Sequence, residues 1–82
     1  MNMRIKYHPN FKKSLKKFSQ GIQKKFDKQA VFLVQNIRHP SLHAKRYEGA
    51  EKVWQCRVDK SIRFYFVIEK DAYILLDIRH HD

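Results

Sequence analysis

The chain has 82 residues, 43% of them hydrophobic and 13% aromatic, enough for one small packed domain and too many for global disorder. Eighteen Lys and Arg against eight Asp and Glu give a formal charge of +10, which points to a polyanion or an acidic protein as partner. The single cysteine excludes an internal disulfide; no apolar run nears the roughly 18 residues that cross a bilayer, and Met1 to Tyr7 lacks the apolar stretch of a signal peptide, so one soluble, cytoplasmic domain over residues 1–82 is expected.

Met3, Ile5 and Tyr7 alternate with Arg4 and Lys6, a short strand suited to a sheet edge, where lysine discourages unwanted pairing. His8-Pro9-Asn10 ends it, with Pro9 placed for a helix start and Asn10 as its cap. From Phe11 the period becomes helical: Phe11, Leu15 and Phe18 share a face, while Lys12, Lys13, Lys16 and Lys17 form a basic stripe. Acids are nearly absent from this half, Asp27 being the only one before Lys28. The stripe therefore reads as a phosphate contact rather than a solvated face of mixed sign. Gly21 suits a left-handed break. A second helix follows from about Ile22 to Ile37, with Ile22, Phe26, Ala30, Leu33 and Ile37 as its core stripe.

Pro40 bars further helix, and residues 38–52 form one long connection. His39 and His43 stand four apart, but Pro40 interrupts the helix that a metal pair would need, so no metal or cofactor is expected. Residues 53–82 read as three strands with tight turns. Trp54, Cys56 and Val58, then Ile62, Phe64, Phe66 and Ile68, then Ile74, Leu76, Ile78 and His80 fall on one apolar side. Gln55, Arg57, Arg63, Tyr65, Val67, Tyr73, Leu75, Asp77, Arg79 and His81 fall on the other. Cys56 reads as a buried small hydrophobe. The expected fold is α+β, in the order β-α-α-β-β-β, with a helix hairpin packed on one face of a small, antiparallel-rich, twisted sheet.

Three arginines, Arg57, Arg63 and Arg79, therefore project from neighbouring strands toward one open face, with His81 at its end. Guanidinium forks suit phosphate oxygens and the charge that grows on phosphorus in a transition state. Imidazole is the one group there with an ordinary pKa near neutrality, so His81 is the natural proton carrier. Asp77 and Asp82 are too far apart to hold a divalent cation. A nuclease without a metal must take its nucleophile from the substrate, and RNA carries one in the 2′-hydroxyl.

At these residues the chain resembles the small bacterial toxins of the RelE/ParE superfamily, on the RelE and YafQ side. The resemblance spans the opening strand, FKKSLKKF, HPSLHAKRYEG, VWQCRVDKSIRFYFVIE and YILLDIRHHD. It implies a ribosome-dependent mRNA endoribonuclease acting by metal-free 2′-hydroxyl attack, held inactive by a cognate antitoxin, with ribosome and mRNA as further partners and no membrane. By position it implies that Arg63 grips the scissile phosphate and that His81 stands where relatives carry a histidine or a general-acid arginine. Gln55 and Arg57 fall on a lysine pair of RelE. Lys45, Arg46, Lys52 and Arg79 join as RNA phosphate contacts, and Lys12 and Lys16 are the expected antitoxin contacts. RelE-type chains usually continue with an acidic residue and a catalytic tyrosine, whereas this sequence ends at Asp82. Compensation by His81 and Tyr65, weak activity and a longer natural chain are the three readings of that difference. On the same scaffold a ParE-like binder of DNA gyrase, or a catalytically degenerate basic RNA-binding module, is the alternative. Oligomeric state is open.

Overall fold

A computed structural model describes residues 3–81; Met1, Asn2 and Asp82, which the expected domain also includes, lie outside the described residues. Strand β1 (Arg4–Tyr7) leads into helix α1 (Pro9–Lys16) and helix α2 (Gln20–Gln35). A 3-10 turn (Pro40–Leu42) follows, then strands β2 (Lys45–Arg46), β3 (Trp54–Arg57), β4 (Ile62–Glu69) and β5 (Ala72–His80). The sheet order is β1-β5-β4-β3-β2, antiparallel except where β1 runs parallel to β5. This is the α+β arrangement expected, with one strand more: β2 is two residues long, too short for alternation to reveal.

The helix ends are set by side chains other than those the sequence suggests. His8, not Asn10, caps α1, its Nδ1 accepting from the Asn10 amide at 3.1 Å. Ser19 caps α2, its Oγ accepting from the Ile22 amide at 3.2 Å. Gly21 therefore lies inside the first turn of α2, and no described glycine has a positive φ. The hydroxyl cap satisfies the orphan amides, so the chain turns without a left-handed residue. Helix α2 stops at Gln35, two residues short of the expected Ile37, because Asn36 is extended and its side chain accepts from the Arg38 amide.

Between the helices and the sheet lies an aromatic core. Phe26 packs 5.1 Å from Phe11 and, edge-on, 5.3 Å from Phe64; Phe66 in turn meets Phe64 and Tyr73. Phe11, Leu33, Leu42, Phe64, Phe66 and Leu75 are fully buried. Cys56 is among them, and burial pushes its thiol up to about 12, leaving an inert side chain.

One irregularity re-aims β5. Tyr65 pairs with Asp77, but the next residue, Phe66, pairs with Leu75, so Leu76 is a bulged extra residue. Beyond it the faces swap. Tyr73 and Leu75, assigned to the polar side by alternation, enter the core, and Ile74 and Leu76 leave it half-exposed. The bulge turns Asp77 as well: its Oδ1 accepts from Ser14 Oγ at 2.8 Å, tying β5 to α1 rather than joining the polar face.

Gln29 is the polar strut of the interior. Buried on α2, it donates from Nε2 to the Arg57 carbonyl at 2.9 Å and the Ser41 carbonyl at 3.1 Å, while its Oε1 accepts from Ser41 Oγ. The helix layer thus holds the 3-10 turn and the end of β3 in place. Among the described residues no helix is long and apolar enough to cross a membrane. Replacing Gln29 with Leu, similar in size, removes its hydrogen bonds to two part-buried carbonyls, so a loss of about 1–3 kcal/mol is expected from urea unfolding. A midpoint equal to the parent's would show that the strut carries no stability.

Candidate functional site

The register sets two rows across the face that the helices leave open. Arg57 lies opposite Arg63, and Arg63 opposite Arg79. One step along, Lys45 lies opposite Gln55 and Gln55 opposite Tyr65, whose partner on β5, Asp77, is turned to Ser14 of α1 instead. Like charges directly opposed across strands cost stability, and here three guanidinium side chains share a row. The nearest acid in sequence offers them no carboxylate. Burial opposes ionisation of Asp59, but the Ser61 and Ile62 amides, each 2.9 Å from its Oδ1, and the charge of Lys25 hold its pKa below the ordinary range. That carboxylate is occupied in shaping the β3–β4 turn.

The turn in turn fixes Arg63. Its Nη1 donates to the carbonyls of Asp59 (2.8 Å), Lys60 (3.1 Å) and Ile62 (3.2 Å), and the residue is only 6% exposed. Its Nε and Nη2 make no such bonds, and among the described residues no buried side-chain nitrogen lacks a partner, so they keep access to solvent. Arg63 lines a hollow of about 340 Å³ together with His43, Ala44, Lys45, Gln55, Arg57 and His81. His81 reaches it because its amide donates to the Ser61 carbonyl at 2.7 Å, extending β5 beside the turn. His43 reaches it from the other side, in a left-handed conformation (φ 46°) that ends the 3-10 turn.

Two imidazoles, two guanidinium groups and one ammonium therefore line a single polar concavity, with no carboxylate among them. Such a set binds phosphate oxygens, opposes a divalent cation by charge, and can pass a proton in either direction. His43 was not among the expected site residues. Its only sequence signal is a histidine placed shortly after a proline turn, beside the basic pair Lys45-Arg46. Its neighbour His39 is used otherwise: its ring stacks on Phe32 at 3.8 Å and its Nδ1 accepts from the Ser41 amide.

Other expected site residues lie outside the hollow. Tyr65 is 5% exposed, covered by the Arg79 guanidinium 4.6 Å from its ring centre and by the edge of Tyr47. The Tyr65 hydroxyl, as hydrogen-bonding neighbour, pushes the Arg79 pKa further up. Arg79 itself lines a shallow depression with Ser14, Lys17 and His80. Arg46 lies opposite Trp54, its guanidinium 5.6 Å from the indole, and with Lys52 and Ile68 lines a separate dent. Lys12 and Lys16 are exposed on α1, remote from these residues in sequence and element.

A family model described as ParE toxin of type II toxin-antitoxin system, parDE, matches residues 5–82. No curated protein matches the sequence. Among solved structures, the archaeal RelE-RelB complex from Pyrococcus horikoshii OT3 is similar with TM-score 0.80 and 15% identity, covering 98% of this chain and 96% of that one. The YoeB dimer from Staphylococcus aureus matches with TM-score 0.82 and 11% identity over the whole of both chains. The DinJ-YafQ toxin-antitoxin complex of E. coli matches with TM-score 0.80 and 12% identity, covering 99% and 94%. At these identities the likeness is one of fold.

Because Arg57 and Arg63 oppose each other without a counter-charge, Arg57→Gln is expected to stabilise the protein by up to about 1 kcal/mol. The gain should shrink as salt screens the repulsion. Urea midpoints at low and high ionic strength check this, and an unchanged midpoint at low salt refutes it.

Proposed function

The chain belongs to the ParE toxin family of type II toxin–antitoxin systems, and from that premise we propose that it is a toxin that cleaves mRNA on the ribosome without a metal. The observation that carries this reading is the hollow itself, where Arg57, Arg63 and Lys45 meet His43 and His81. A phosphodiester seated there has its charge met by Arg63, whose Nη1 is already held by three backbone carbonyls and needs no reorganisation. One imidazole, His43, takes the proton of the 2′-hydroxyl as that oxygen bonds to phosphorus. The bond from phosphorus to the 5′-oxygen breaks, and His81, as imidazolium, protonates the leaving oxygen. The products are a 2′,3′-cyclic phosphate and a free 5′-hydroxyl. Gln55, Lys45 and Arg57 position the strand. Tyr65, being covered, acts through Arg79 and Tyr47 rather than on the substrate.

As in the RelE-RelB and DinJ-YafQ complexes, a cognate antitoxin is the proposed partner. Its acidic or amphipathic segment would lie over the helix layer, where Lys12 and Lys16 are exposed and Tyr7 and Val31 leave apolar surface uncovered. A second reading, a gyrase-binding toxin without nuclease activity, is favoured by the family description itself.

Mapping the 5′ ends of transcripts after brief induction, with and without translation blocked, separates the two. New 5′ ends that need active translation support the nuclease; an SOS response with intact transcripts overturns it. Arg63→Ala and His81→Ala are each expected to slow cleavage by about 10²-fold or more. Arg63→Lys should not rescue, since one ammonium cannot hold the turn carbonyls and a phosphate together.

A further inference from the structure

We propose that Tyr47 is the seat of a nucleobase, stacking on the base next to the phosphate held in the hollow; the proposal rests on the reading of that hollow as an RNA site. Tyr47 follows Lys45 by two residues, and its amide donates to the Val53 carbonyl at 2.8 Å, continuing the β2–β3 pairing. It therefore projects from the same open face as Lys45, which lines the hollow. Two residues along a strand amount to about 7 Å, so the ring stands one short step from the phosphate-binding groups.

Its placement is built rather than incidental. The Tyr47 ring meets Tyr65 edge-on, with centres 5.2 Å apart and planes at 69°. Tyr65 is in turn locked by the Arg79 guanidinium over its ring. From the loop side Tyr47 rests on the bare backbone of Gly49, where an added Cβ would fall 2.5 Å from the ring. Gly49 has no positive φ, so the glycine is required there by the ring and not by the backbone. Tyr65 and Gly49 brace the partly exposed ring from two sides. A braced, partly exposed aromatic beside a row of arginines is an arrangement by which single-stranded RNA is bound, base on ring and phosphate on guanidinium.

The test uses the full chain in a translating extract, on a message carrying a single abasic nucleotide placed in turn on each side of the mapped cut. The parent should be slowed about five- to a hundred-fold by the abasic site at one position, the range that base–aromatic stacking spans. Tyr47→Ala should be slowed comparably on the intact message and lose its sensitivity to the abasic site, whereas Tyr47→Trp should keep that sensitivity. Gly49→Ala, which displaces the ring without deleting it, should behave as Tyr47→Ala while unfolding in urea near the parent midpoint. If the parent cuts and Tyr47→Ala remains as sensitive to the abasic site as the parent, Tyr47 only covers Tyr65 and the proposal falls alone. If the parent cuts no message under any condition, the nuclease reading fails and the base seat goes with it.

Discussion

Phe26 stands edge-on to Phe64 with Phe11 against its other side, and this contact commits both helices to one side of the sheet. A chain this short has apolar surface for a single two-layer core. Once the hairpin is spent on the inner face, nothing remains to cover the outer one, which must be solved by polar side chains. Arg57, Arg63, Gln55 and Lys45 meet that requirement. The same contact also governs their positions, because Gln29 lies on the helix that Phe26 anchors and grips the backbone at Arg57 and Ser41. Packing on one side thus sets geometry on the other.

That outer face is not arranged for stability. Three arginines aligned across adjacent strands repel, and the acids within reach are turned to other work: Asp59 closes a turn and Asp77 receives Ser14. A surface selected only for folding would alternate its signs. What the arrangement supplies is a field of positive charge with two imidazoles at its margin, set in place by the fold. Arg63 shows how a guanidinium is held there: burying it is tolerable because backbone carbonyls take up part of its donor fork, leaving the rest in reach of solvent.

The features legible in the sequence are those with a period. Alternation located the three long strands and the arginine row, and the helical stripe through Phe26 and Leu33 located the covering layer. Features of a single residue were hidden. The bulge at Leu76 reverses the faces of Tyr73 to Leu75 with no change in composition, since Leu75 and Leu76 are chemically alike and only pairing distinguishes them. Ser19 replaced Gly21 as the means of turning between helices because a hydroxyl cap and a glycine break serve the same end. His43 joins the hollow through a left-handed residue after a 3-10 turn, a conformation that no spacing announces. Tyr65 shares the parity of Arg63 yet lies under Arg79 and Tyr47 and outside the hollow, because parity gives a side and not a neighbourhood. Conversely Arg46, close in sequence to Lys45, is carried elsewhere by the same alternation that places Lys45 well, and Lys52 by a left-handed turn conformation (φ 66°) before β3.

The margins of the sheet have a consequence for how copies of the molecule meet. One margin is β1, bearing Arg4 and Lys6; the other is β2, only two residues long and both of them basic. A second copy approaching edge to edge would bring cation against cation along a ladder too brief to repay the encounter. Growth into ribbons is thereby opposed by charge at both ends.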